Sequence, residues 1–177
     1  MSESQEKMIL DWMRKIHQLE YAHRYESLMW SKRQTVIGYL AFGLSLLIAF
    51  SFRFPSIEQT TYDNLFFVFK HDFFVAFTSL VVALLTGYLT FTKPSEKAVL
   101  HKNTGSNYEK LRHRIELILT MEYQEWEFKK RTELIKDEWE SLDAINVSPK
   151  FFVKGSKEVK SMNKYPERLG FLPDIQE

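Results

Sequence analysis

The sequence predicts an all-α membrane protein: a two-transmembrane helical hairpin whose long cytoplasmic N- and C-terminal helices pack as a bundle. Three observations predict it. Residues 35–52 and 73–92 carry no charged side chain. The flanks are densely charged, with 6 Lys/Arg and 5 Asp/Glu before Gln34 and 16 Lys/Arg and 15 Asp/Glu from Lys93 onward. Within those flanks, apolar residues recur at three- and four-residue steps, the period of one helix face. A water-soluble domain spreads its apolar residues along the chain. Here the 45% apolar and 27% charged composition averages two unlike kinds of segment.

Residues 1–33 are read as a cytoplasmic amphipathic helix. They contain no Gly or Pro, and Trp12, Ile16, Leu19, Ala22, Tyr25 and Met29 share one face. This stripe is expected to pack on another helix, and the helix to run unbroken into the first span. Residues 34–52 form transmembrane helix 1, near the short end of the roughly 17–25 residues that cross a bilayer. Residues 53–72 form an extracytoplasmic connector, whose Leu65-Phe66-Phe67-Val68-Phe69 stretch lies on the membrane surface or begins the next helix early. Residues 73–92 form transmembrane helix 2. Arg53 and Pro55 close the first span, and Lys93 and Pro94 the second. Trp30, Tyr39 and Tyr88 suit an interfacial aromatic belt.

Residues 93–145 are read as cytoplasmic helices. Pro94 suits a first helical turn. Asn103-Thr104-Gly105-Ser106-Asn107 reads as a break or kink, and a helical pattern follows from 107 to 142. Its apolar positions include Tyr108, Leu111, Ile115, Ile118, Leu119, Trp126, Ile135, Trp139 and Leu142. The economical arrangement buries the two amphipathic stripes against each other as an antiparallel pair and against copies in neighbouring subunits, with Trp12, Tyr25, Tyr108, Leu111, Trp126 and Trp139 as the assembly residues. Residues 146–177, with Pro149, Gly155, Pro166, Gly170 and Pro173, read as a loosely structured tail. Its basic run, Lys150, Lys154, Lys157, Lys160 and Lys164, suggests contact with anionic lipid, but Glu158 interrupts it.

Orientation follows from the Lys/Arg bias. Lys15, Arg24, Lys32 and Arg33 precede the first span, and Lys93, Lys97, Lys102, Lys110 and Arg112 follow the second, whereas the connector has only Arg53 and Lys70. Both termini are therefore expected in the cytoplasm.

Composition narrows the function. A net charge of +1 gives no case for direct nucleic-acid binding. The absence of Cys excludes disulfide frameworks, cysteine nucleophiles and the common zinc fingers. The five His are scattered without ligand spacing. With no phosphate loop, nucleophile elbow or paired His on a helix turn, neither an enzyme nor a cofactor or metal is expected. The spans carry no ionisable residue, which disfavours a proton relay, and two spans are too few for a repeat-built transporter. What they carry is small residues in register. Gly38, Ala41, Ser45 and Ala49 share a face of the first; Ala76, Ser79, Ala83, Thr86 or Gly87, and Thr90 share a face of the second. Such faces serve close packing within the hairpin, or line a narrow oligomeric pore that gates by wetting.

The order and spacing of several short motifs resemble the SLATT-domain family, bacterial two-transmembrane proteins found beside nucleotide-second-messenger and other conflict systems. They are Leu85-Thr86-Gly87, Glu96-Lys97-Ala98, His101, Tyr108, Leu111-Arg112 and Ile115-Glu116 after the second span. Ala22-His23-Arg24-Tyr25 before the first span and Trp139-Glu140-x-Leu142 near the end of the last helix support them. The resemblance covers roughly residues 10–149. It implies a homo-oligomeric, pore-forming effector of antiviral defence in the bacterial inner membrane, acting by abortive infection. With no fused sensor domain, the expected trigger is a nucleotide second messenger or a defence-system partner protein. The alternative is a non-conducting membrane anchor or scaffold that recruits a cytoplasmic partner.

Overall fold

A computed structural model describes residues 2–51, 71–142 and 144–166, and among them there is no strand. The elements are α1 (Glu3–Ser51), α2 (His71–Thr92), α3 (Pro94–Thr120), α4 (Glu125–Ser141) and α5 (Pro149–Ser161). They divide between two compact units, residues 1–29 with 97–177, and residues 30–96. The Phe-rich stretch 65–69 lies outside the described residues.

In the first unit, α1 opens on a reciprocal cap. The Gln5 backbone N–H donates to the Ser2 hydroxyl at 3.3 Å, and the Ser2 N–H donates to the Gln5 side-chain carbonyl at 2.8 Å. Two end donors are thereby satisfied, and Glu3 and Glu6 in the first turn complement the helix dipole. Three helices then pack around the hydrophilic part of α1. α3 runs antiparallel to it: Ser27 donates to the Ala98 carbonyl at 2.8 Å, and Arg112 reaches Glu20 at 2.9 Å. α4 runs parallel, because Ser2 and Gln5 share a shallow hollow with Glu125 and Phe128, while Trp12 meets Trp139 edge-on at 6.1 Å. α5 is antiparallel, from Ser148, whose N–H donates to Glu26 at 2.9 Å, to Tyr165, which meets His17 at 3.0 Å. The apolar core is Ile9, Ile16, Tyr108, Leu111, Ile115, Ile118, Phe128 and Ile135. Being enclosed on several sides, α1 also buries Asp11, His17, Glu20, His23 and Glu26.

Three sequence expectations are corrected here. Asn103–Asn107 is not a break, because α3 continues through it. Gly105 is buried where α3 meets α1, and a Cβ there would touch the His23 Cβ at 3.4 Å and the Glu20 carbonyl at 3.5 Å. The pattern from 107 to 142 is not one helix either. It reverses at residues 121–124, and Arg114 forms an ion pair with Glu138 across the turn. A straight helix would run past the start of α1 and leave Phe128 and Ile135 in water; the reversal buries both. Finally, residues 146–177 are not simply a loose tail, since they contain α5. Pro149 stands at the helix start, where its missing N–H costs nothing, and Asn163 takes the left-handed conformation (φ 50°) that ends many helices. Gly155 lies against α1, with the Gln18 carbonyl 2.7 Å and the Ala22 nitrogen 2.8 Å from where a Cβ would stand.

The second unit holds the end of α1 and all of α2. α2 closes on Lys93, whose N–H donates to the Leu89 carbonyl at 3.1 Å and whose φ is 45°. Pro94 then opens α3.

Candidate functional site

Both helices of the second unit are apolar all round, and few of their residues are buried. In an 18-residue apolar window of each, only 6% of the residues are buried. Phe42, Leu47, Leu80, Leu84 and Phe91 are exposed, Phe91 by 87%. Ala41 and Thr78 are the buried exceptions within these helices. Of the other small-face residues, Ser45, Ala49, Ala76, Ser79, Ala83, Thr86 and Thr90 are exposed, while Gly38 and Gly87 are half-buried. A Cβ added at Gly38, Gly43 or Gly87 would meet nothing within 4 Å. Among the described residues nothing therefore demands glycine there.

The hydroxyls of Ser45, Thr86 and Thr90 on these faces are satisfied locally. Ser45 donates to the Ala41 carbonyl at 2.8 Å, Thr86 to Val82 and Ala83 at 2.8 and 3.0 Å, and Thr90 to Thr86 at 2.9 Å. A hydroxyl bonded to its own helix can face hydrocarbon at little cost and still offers its lone pairs to water.

The first unit contains a buried polar seam that sequence reasoning missed. His23 and His101, 78 residues apart, place their Nδ1 atoms 3.0 Å from each other. Tyr108 stacks on His23 with ring centroids 5.5 Å apart. His101 Nε2 lies 3.7 Å from Glu26, whose other oxygen accepts the Ser148 N–H. Burial, and secondarily His101, pulls the His23 pKa down to about 4; burial also lowers that of His101 against the opposing pull of Glu26. Both rings are thus neutral at pH 7. The tautomers that satisfy both contacts place the His101 proton on Nε2, facing Glu26, and let His23 donate from Nδ1.

One turn earlier on α1, the 1%-exposed Glu20 holds two guanidinium groups, those of Arg112 and Arg24, each at 2.9 Å. Arg24 also pairs with Glu109 at 2.9 Å, and Arg112 with Glu116. Beside them the Tyr165 hydroxyl and the Nδ1 of His17 share a hydrogen bond at 3.0 Å. Burial pushes Tyr165 up to about 12; burial, then Arg112, pushes His17 down to about 4. These groups are mutually paired, and they fix the positions of the helices against one another. Among the described residues no group of three or more His, Asp and Glu is arranged to hold a metal ion.

Of the sequence-predicted assembly residues, the structure gathers Trp12, Tyr108, Leu111 and Trp139 in or against the core of the first unit. Tyr25 faces α5, donating to Glu158 at 2.9 Å. Trp126 stays apart, 66% exposed, its indole N–H donating to Gln124. Comparison with protein-family models, with curated proteins and with solved structures finds no match for this chain.

Proposed function

We propose that this chain is a two-span bacterial inner-membrane protein that oligomerises and permeabilises the membrane when a defence system is triggered. The observation that carries the reading is a pair of uncharged helical runs, each long enough to cross a bilayer, in which only 6% of the residues of an 18-residue window are buried. That much apolar surface is untenable in water and ordinary in lipid. The Lys/Arg bias supports cytoplasmic termini. Oligomerisation is supported by Leu117, Trp126 and Leu134, which the first unit leaves 55%, 66% and 59% exposed. It is supported too by span glycines that no contact among the described residues explains. The resemblance to the SLATT family supports the defence role and a nucleotide or partner-protein trigger.

The rival reading is a non-conducting anchor that recruits a cytoplasmic partner. It is favoured by the local satisfaction of Ser45, Thr86 and Thr90, whose donors are taken up within their own helices. Induced expression with a potential-sensitive dye separates the two. Depolarisation is the expected result, and an unchanged potential with the protein correctly inserted overturns the pore.

A further inference from the structure

Helix α4 turns one side to the core and leaves an ordered set of side chains outside. Phe128, Thr132 and Ile135 are buried. On the opposite side Trp126, Lys130, Leu134, Asp137 and Ser141 are exposed, Trp126 by 66% and Leu134 by 59%. At about 100° per residue, Lys130, Leu134, Asp137 and Ser141 fall within about 60° of one another around the helix, and Trp126 stands about 20° beyond Asp137. Arg131, Lys136 and Glu138 are paired, with Glu127, Glu140 and Arg114. Among the described residues Lys130 and Asp137 form no ion pair. The Arg114–Glu138 pair also sets the register of α3 against α4. Leu117, 55% exposed, follows Arg114 by three residues, and Leu134 precedes Glu138 by four, so both apolar side chains stand one turn nearer the reversal.

We propose that this stripe of α4 pairs, antiparallel and about a two-fold axis, with the same stripe of a second copy of the chain. The inference names the interface of the oligomer put forward above and rests on that part of the reading alone. The order of the charges selects the occupant. In an antiparallel pair centred between residues 133 and 134, Lys130 of each copy faces Asp137 of the other, whereas a parallel pair would set Lys130 against Lys130. Leu134 then meets its own counterpart beside the axis, with Leu117 next to it. Trp126 lies over Ser141 of the second copy, a large side chain against a small one. The stripe thus matches itself, as a two-fold contact requires. Glu133, about 100° from Leu134 around the helix, stays in water at the rim. The apolar side chains supply the affinity, and the Lys130–Asp137 pairs set partner and direction.

The chain has no Cys, so single-cysteine variants of the full-length protein report without background. Leu134→Cys, beside the axis, is expected to form a disulfide-linked dimer under mild oxidation, since that bond needs Cα atoms within about 7 Å. Phe152→Cys, on the exposed surface of α5, and Lys130→Cys alone should not. Lys130→Cys mixed with Asp137→Cys should. Lys130→Asp and Asp137→Lys, each added to the Leu134→Cys protein, should each abolish the crosslink. Mixing those two proteins should restore it, because the copies again face each other with opposite charges. No Leu134 crosslink, or a Lys130 crosslink as strong as that of Leu134, overturns the antiparallel pair. Failure of the mixture to recover assigns the face to another partner and overturns it as well. The dye measurement above is read separately. Depolarisation without a Leu134 crosslink overturns this interface and leaves the pore, and a crosslink with the potential unchanged overturns the pore and supports this interface.

Discussion

Gly155 of α5 meets Ala22 of α1 so closely that a Cβ on the glycine would stand 2.8 Å from the alanine nitrogen and 3.2 Å from its Cα. Both neighbours are backbone atoms of a helix, which cannot yield as a side-chain tip can.

Gly155→Ala should therefore destabilise the first unit by about 1–3 kcal/mol, as overpacking does. Alanine's better helix propensity will not rescue it. Gly105→Ala is the control: its Cβ would make contacts of 3.4 Å and longer, and the propensity gain of up to about 1 kcal/mol offsets them. Near-UV circular dichroism during urea titration, which follows the Trp12–Trp139 pair, should separate the two variants clearly. Equal midpoints would show that α5 is not held at this crossing.

Glu20→Gln should cost about 3–5 kcal/mol, because it leaves Arg112, largely buried, without the carboxylate that compensates it. Glu3→Gln removes an exposed partner of Lys7 and should leave the same titration unchanged. A mild Glu20→Gln phenotype would mean that water or Glu116 takes over the guanidinium.

Stability should fall as pH is lowered from 6.5 toward 4. His17 and His23 have folded pKa values of about 4, below the ordinary 6.5. Between those values the unfolded chain binds protons that the folded one refuses, so acid favours unfolding, and the penalty is absent above about 6.5. The urea midpoint measured across this window should drop, and His23→Gln should flatten the slope. A midpoint that rises on acidification would show that the histidines are charged in the folded protein.

Gly87→Leu should leave the fold and helix content of the individual chain intact, because among the described residues nothing lies within 4 Å of an added Cβ. On the pore reading it should nonetheless abolish depolarisation, by obstructing the approach of a neighbouring subunit or the conducting path. Full depolarisation by a correctly inserted variant would remove this face from the pore.

Trp139→Ala should cost about 3 kcal/mol through loss of its packing against Trp12 and the core. Trp126→Ala should leave the subunit's stability unchanged, since that ring is outside the core. Size measurements in mild detergent then test whether Trp126 faces a second subunit. A Trp126→Ala protein that unfolds as readily as the Trp139 variant would contradict this division.

The apolar helices were legible because 18 and 20 uncharged residues in a row leave few alternatives. So was the antiparallel packing of α3 on α1, from stripes at helical spacing. The misreadings share a cause. Pro149, Gly155 and Gly105 look like helix breakers, yet each occupies a helical position whose reason is three-dimensional: a helix start for the proline, a close crossing for the glycines. The reversal at 121–124 contains neither Gly nor Pro, and it follows from where the apolar surface of α1 begins. The polar seam was invisible because His23 and His101 acquire a relationship only when two helices 78 residues apart in register align. The buried side of Glu20 could have been suspected only from its place beside Ala22 and His23 on a stripe otherwise apolar.

The attachment of α5 at both ends makes the chain a ruler. Its start is fixed to Glu26 and the residue beyond its end to His17, and the glycine that permits the crossing must fall between them. One residue inserted into α5 would turn everything after it by about 100° about the helix axis. Gly155, Val159 and Tyr165 would then lose their common phase. The link between Leu142 and Ser148 carries no helical phase, although Ala144 packs against the core. Variation in chain length is thus expected to collect in that link and to spare the segment from Ser148 to Tyr165.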